Sequence, residues 1–322
     1  MGRYLLRRLG FSLLLVFVVS SAALLLTRLA PGDFTTQLGF DVDPAVRERL
    51  RHELGLDRPL AVQYLSWLGG VVRFDFGRSL LYSRPVSTLL GERALNTAVL
   101  ATAALLLATM IGIPLGIYSG SRRRGLGRAI VRMVSVLGIS VPPLIGSLLL
   151  VFIAARTGWF PVGGMTSTGG LDAGWGPWLA DLARHLPIPA LALGIPLAAS
   201  LERLQSQAIA AASRERFVTA SRARGLERTQ ALLRHAWPVS LRPVLGVYGV
   251  MIAALFSGSF IVEVVTAWPG LGRLMFEALR ARDLFLVAGC AATGAVFLAV
   301  GTLVTDLLLA YTDPRVGSGE RG

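Results

Sequence analysis

The chain has 322 residues, 53% hydrophobic and 16% charged. That charge content falls well below the roughly 25% usual in soluble domains, and several apolar runs reach the ~20 residues that cross a bilayer, which excludes a soluble enzyme in favour of a multi-span membrane protein. The net charge of +13 comes wholly from arginine, since the sequence contains no lysine; in a multi-span protein such an excess marks cytoplasmic loops rather than nucleic-acid binding.

Residues 1–30 hold the first span. Arg3, Arg7 and Arg8 precede an apolar run from Leu9 to about Thr27. The run is longer than a signal-peptide core, and in Leu29-Ala30-Pro31-Gly32-Asp33 a proline follows the only suitable small residue, so the span is expected to be retained. Residues 31–93 form an extracytoplasmic helical segment. Asp43-Pro44 opens a helix that ends at Gly55. An amphipathic helix beginning near Pro59 carries Val62, Leu65, Leu68 and Val72, with Tyr64 and Trp67 suited to a membrane interface.

Residues 94–312 form a five-helix core. The second span runs from about Leu95 to Ser119 and is followed by Arg122, Arg123, Arg124, Arg128 and Arg132. The third covers about Ala129 to Ala155, with Pro142-Pro143 near its middle, and residues 156–186 form a Gly- and Trp-rich loop. The fourth starts near Ile188, is interrupted by Pro189, Gly194 and Pro196, and has Glu202-Arg203 at its polar end. A cytoplasmic loop occupies about 203–242. The fifth span is about Val244 to Val262, Glu263 to Asp283 form a short outer loop, and the sixth span is about Leu284 to Leu309. Residues 313–322 are a polar tail. With both termini inside, the inner segments hold 18 arginines and the two short outer loops five, so both ends and the 203–242 loop are expected in the cytoplasm.

Within that loop, Arg214 to Pro243 reads as two short helices. The first runs to Arg224, Gly225 follows where a left-handed C-terminal cap belongs, and Leu226 folds back on the last turn. Glu227 falls in the first turn of the second helix, where it suits the helix dipole. Leu232, Leu233, Ala236 and Trp237 share one face of that helix, and Pro238 and Pro243 punctuate the return to apolar sequence. The element is either a basic knob shaped for another protein's groove or an ordinary solvated loop.

Catalytic signatures are missing. A phosphate-cradling loop needs its lysine, so any ATP hydrolysis belongs to another subunit. His52, His185 and His235 all fall outside the spans, leaving Ser140 and Ser257 without a base, and no H-E-x-x-H occurs. Cys290 reads as a small buried hydrophobe. Asp306, near the cytoplasmic end of the sixth span, is the one acid within an apolar run, and a local ion pair competes there with a transport role. Few mid-membrane charges weaken a stand-alone secondary transporter, and the lack of an in-span histidine weakens an intramembrane enzyme. The pattern is that of a transport subunit worked by a separate motor.

Several ordered stretches support this. Arg222-Ala223-Arg224-Gly225-Leu226, His235-Ala236 and Pro243-Val244 resemble the signature loop of membrane subunits of ATP-binding-cassette importers, in the form of the dipeptide/oligopeptide/nickel permease branch. Leu54-Gly55-Leu56-Asp57-Arg58-Pro59, Ile113-Pro114-Leu115-Gly116, Trp268-Pro269-Gly270-Leu271-Gly272, Arg282-Asp283 and Asp313-Pro314-Arg315 agree, and the first span and long outer segment resemble the B-type subunit. Thr219, the Trp237–Ser240 run and Phe285 depart from the family pattern.

The resemblance implies the all-α, six-helix transmembrane domain of a type I importer in a bacterial or archaeal plasma membrane. It would be a non-enzymatic permease subunit for peptides, or alternatively for nickel or another small solute. Its partners would be a second permease subunit, two ATPase subunits that bind ATP and Mg, and an extracytoplasmic solute-binding protein. The chain itself would hold no cofactor. The ATPase-coupling loop would comprise Phe217, Ala220, Arg222, Ala223, Arg224, Gly225, Leu226, Leu232 and Leu233.

Overall fold

The computed structural model of the chain describes residues 2–29, 34–37, 43–53, 57–71, 73, 75–122, 124–167 and 174–312, with side chains described except at 2–9, 28, 47, 50, 253 and 305–312. The expected turn at 30–33, Gly55, Val72, Arg123, the tail and the side chain of Asp306 lie outside this set. Among the described residues every regular element is a helix, as expected for an all-α protein. In chain order these begin with α1 (Gly2–Leu29), α2 (Pro44–Glu53), α3 (Leu60–Val71), α4 (Val86–Ser121), α5 (Leu126–Ser140), α6 (Pro143–Thr157), α7 (Trp175–His185) and α8 (Pro187–Ala212). They continue with α9 (Arg216–Ala223), α10 (Arg228–Ala231), α11 (Trp237–Leu245), α12 (Tyr248–Val265), α13 (Leu271–Ala281) and α14 (Leu284–Thr312).

Four of these helices are long and apolar enough to cross a membrane, and two bent pairs bring the number to six if each pair is one span. The expected third span is one such pair: α5 and α6 meet at 104°. Val141 and Pro142, each preceding a proline, are both extended, as steric clash with the following ring requires. Two helices of 15 residues, each about 22 Å long, replace one continuous span. The supposed loop 156–186 contains a helix, α7, that meets α8 at 48°, and the supposed outer loop 263–283 contains α13. By contrast, α8 runs unbroken through Pro189, Gly194 and Pro196. Pro187 and Pro189 fall in its first turn, where no N–H is needed. Glu202 is therefore not at a polar end but in the body of α8, 3% exposed.

The chain divides into two compact units, Met1–Ala98 with Pro269–Ala299 and Val99–Trp268 with Val300–Gly322. In the first, Val86, Leu89 and Leu90 of α4 pack with Leu271 and Leu274 of α13 and Leu286, Val287 and Cys290 of α14. A smaller cluster joins Leu24, Trp67 and Ala288. Trp67 faces inward at 4% exposure while Val62 and Leu65 are exposed, so the packed face of α3 is rotated from the expected one. Aromatic rings bring a large apolar area to a packed face, and Tyr64 bonds Ser21 at 2.9 Å.

Asp283 ties this unit together. It is fully buried, and one carboxylate oxygen accepts from Ser79 Oγ at 2.7 Å, from the Leu80 N–H at 2.7 Å and from the Leu81 N–H at 3.1 Å. The other oxygen accepts the Leu286 N–H at 3.2 Å and so caps α14. Arg282 before it takes the left-handed conformation, φ 55°, that ends α13. Nearby, Tyr82 donates to Glu277, and burial, reinforced by that carboxylate, raises the phenol pKa to about 12.

In the second unit α8 is the central element, packed against α5, α6, α11 and α12. On α4, Gly112, Gly116 and Gly120 recur every fourth residue and lie directly on α8. A Cβ at Gly116 would stand 2.6 Å from Gln205 Cβ and 2.7 Å from the Glu202 carbonyl. Small residues at this spacing let two helix backbones approach closely where apolar burial gives little drive, as in a bilayer. The close approach brings polar groups into register: Ser119 Oγ donates to Glu202 at 2.5 Å, and Gln205 Nε2 donates to Ser240 Oγ on α11 at 2.9 Å.

Candidate functional site

The basic segment after α8 folds as a knob seated on the end of that helix. Ile209 and Ala212 of α8, Val218 of α9, Ala231 of α10 and Ala236 form a buried base, with Leu226 and Leu232 packed against it. On α9, Val218 and Ser221 are buried, whereas Phe217, Ala220 and Arg224 line the exposed side. These positions are three and four residues apart, so they form one ridge.

The turn between the helices closes as the residue pattern requires. Gly225 has φ 96°. Its N–H donates to the Arg222 carbonyl at 3.0 Å, and the Leu226 N–H donates to the Ser221 carbonyl at 3.3 Å. This pair of bonds is the Schellman cap, and its usual apolar contact is made by Leu226 against the base. Glu227 stands one place earlier than expected, as the residue before α10 rather than in its first turn, and makes no side-chain cap bond.

After α10 the chain winds as a π-type turn, Leu232–Ala236, and continues into α11. Pro238 has no N–H to offer the carbonyl four residues back and its ring crowds that carbonyl, so a widened turn precedes it. The extra residue per turn changes the inward face. Ala231 and Ala236, five apart, are both fully buried, while Leu233 is 48% and Trp237 37% exposed. The expected shared face of Leu232, Leu233, Ala236 and Trp237 therefore splits. Nor do the prolines end the element, because Pro243 lies inside α11.

Of the residues expected in the coupling loop, Phe217, Ala220, Arg222, Ala223, Arg224, Gly225 and Leu233 are exposed, and Leu226 and Leu232 belong half-buried to the base. Phe217 is 43% exposed, an aromatic ring left uncovered on an arginine-rich segment. Arg228 donates to the Ser121 carbonyl at 2.7 Å, pinning α10 to the end of α4. The residues that sequence reading missed are Val218 and Ser221, whose three-residue spacing signals an inward face, Ala231 on the next helix, and the buried pair Glu202–Ser119. The glycine repeat at 112, 116 and 120 was the signal for that pair.

A helical chain with membrane-length helices thus carries a basic, partly apolar knob at the end of α8. The description "Binding-protein-dependent transport system inner membrane component" matches residues 112–318, and the N-terminal domain of the same systems' membrane components matches residues 1–92. The oligopeptide transport system permease protein AppB of Bacillus subtilis is 31% identical over 319 residues, covering 98% of this chain and 99% of that protein. The dipeptide transport system permease protein DppB of Lactococcus lactis subsp. cremoris is 33% identical with the same coverage. The chain belongs to the family of binding-protein-dependent transport system inner membrane components: it is a multi-pass permease subunit of the type I importer class.

Proposed function

We propose that this chain forms half of the translocation pathway of a peptide importer and couples to separate ATPase subunits through residues 217–233. The observation that carries the coupling is the exposed Phe217–Ala220–Arg224 ridge, which flanks the buried Val218 and Ser221 and ends at a Schellman cap. A groove-binding helix uses such a ridge of anchors. Peptide cargo is supported by relatives that match the whole chain and carry oligopeptide and dipeptide permease names. A second permease subunit would complete the pathway, a solute-binding protein would deliver cargo from outside, and ATP with Mg would bind to the ATPases. The 18-to-five arginine asymmetry supports cytoplasmic termini and a cytoplasmic knob; labelling of position 225 from the outside would overturn that orientation.

The test is Arg222→Glu with Arg224→Glu. Six arginines remain in the 203–242 segment, so insertion should be unchanged. Reversing two exposed charges on an interface should reduce co-purification of the ATPase subunits and substrate-stimulated ATP hydrolysis together. Normal insertion with unaltered ATPase association and transport would refute the coupling role.

A further inference from the structure

Beside the knob, within the second unit, lies a cleft of about 530 Å³. It is bounded by the end of α4, the start of α5, the end of α8, and α9 with α10. Arg122, Arg128, Arg214, Arg222 and Arg228 all line it. Among the described residues no carboxylate does, and none pairs with Arg122, Arg214 or Arg222. The floor is apolar, from Ala210, Val218 and Leu232. The hydroxyls of Ser121, Ser213 and Thr219 donate to backbone carbonyls of their own helices, so the donors left to face the cleft are guanidinium groups.

Arg228 is held on the Ser121 carbonyl, and Arg122 is stacked 4.4 Å over the Tyr118 ring. Those contacts hold the guanidinium planes in place without neutralising them. Like charges gathered around one cleft repel unless an anion enters. Guanidinium groups from several directions match a phosphate, which accepts paired hydrogen bonds from each. The cleft also opens at the end of α4, a helix of 36 residues with membrane-spanning hydropathy. The apolar run of α4 gives way to polar residues at Ser119–Arg122, where a spanning helix would leave the hydrocarbon, and basic pockets at the ends of spanning helices take anionic headgroups.

We propose that this cleft binds a phosphate group, that of an anionic phospholipid headgroup or of free phosphate, against α9. The cleft shares Arg222 with the coupling segment 217–233, so the test below changes Arg122 and Arg214, which lie outside that segment, and reads lipid binding rather than ATPase association. The full-length chain, purified in mild detergent and stripped of lipid, is titrated with short-chain phosphatidylglycerol, with phosphatidylcholine, and with inorganic phosphate, and binding is read by native mass spectrometry. Phosphatidylglycerol should bind with one-site stoichiometry and weaken with salt. Arg122→Gln with Arg214→Gln should weaken it by about tenfold or more, because two charge-assisted bonds are lost. Arg234→Gln, outside the cleft on the same segment, should leave it unchanged. Inorganic phosphate binding that phosphatidylglycerol displaces assigns the same site to free anion as well. Equal retention of phosphatidylcholine, an equal effect of Arg234→Gln, or no effect of the double variant overturns the proposal. So does displacement of the anion by the ATPase subunits in the assembled complex, which would make the cleft part of the protein interface.

Discussion

The contact between α4 and α8 is the packing on which the knob depends, and Gly116→Ala tests it. The added methyl would lie 2.6 Å from Gln205 Cβ and 2.7 Å from the Glu202 carbonyl oxygen. Ordinary carbon contacts fall at about 3.5–4.0 Å, so the helices must part by roughly 1 Å. Neither obstacle is the end of a flexible chain; one is backbone and the other sits on it. Overpacking of this kind costs about 1–3 kcal/mol. The gain in helix propensity on replacing glycine by alanine, at most about 1 kcal/mol, offsets part of it. Gly91→Ala is the control, since it lies on the same helix with nothing within 4 Å of its added Cβ. At roughly 2–4 °C per kcal/mol for a domain of this size, Gly116→Ala should melt several degrees below the control by scanning fluorimetry in detergent. The strain should also reach function, because Gln205 holds Ser240 on α11, and Ile209 and Ala212, further along α8, form the base of the knob. Substrate-stimulated ATP hydrolysis in the assembled importer should fall in Gly116→Ala and not in Gly91→Ala. Equal melting points for the two variants would refute the close-packing argument.

Other outcomes follow from single contacts. Gly225→Val forces a β-branched residue to φ 96° and should cost about 1–3 kcal/mol locally, seen as faster proteolysis at the α9–α10 turn with the spans intact. Asp283→Ala removes an acceptor of four hydrogen bonds and leaves buried N–H groups unmet, and should destabilise the first unit by about 2–4 kcal/mol, read as faster dye labelling of the buried Cys290 thiol. Tyr82 holds its proton more tightly folded, with a pKa of about 12 against 10.0 unfolded, so its contribution is complete below pH 10 and is lost as pH rises toward 12. Tyr82→Phe should flatten the alkaline limb of the stability profile over that window; an unchanged slope there would count against the Tyr82–Glu277 pairing.

Much of this protein is legible in its residues because the rules involved are local. Apolar runs of bilayer length and arginine placement mark spans and an expected orientation without knowledge of neighbours. Arg224-Gly225-Leu226 predicts its cap, since a positive φ and a following apolar residue are properties of three adjacent positions. Other features depend on what lies across the packing interface. Trp67 turns inward because Leu24 and Ala288 offer it a pocket, and Glu202 is buried because three glycines on α4 bring Ser119 to it. Pro142-Pro143 announces a bend, but its 104° angle is a property of α5 and α6 as packed against α8. The inward face of the knob shifts from the helical period because a π-type turn adds a residue before Pro238. Five arginines dispersed between positions 122 and 228 read as topology in the sequence, and they become one basic cleft only when four chain segments meet.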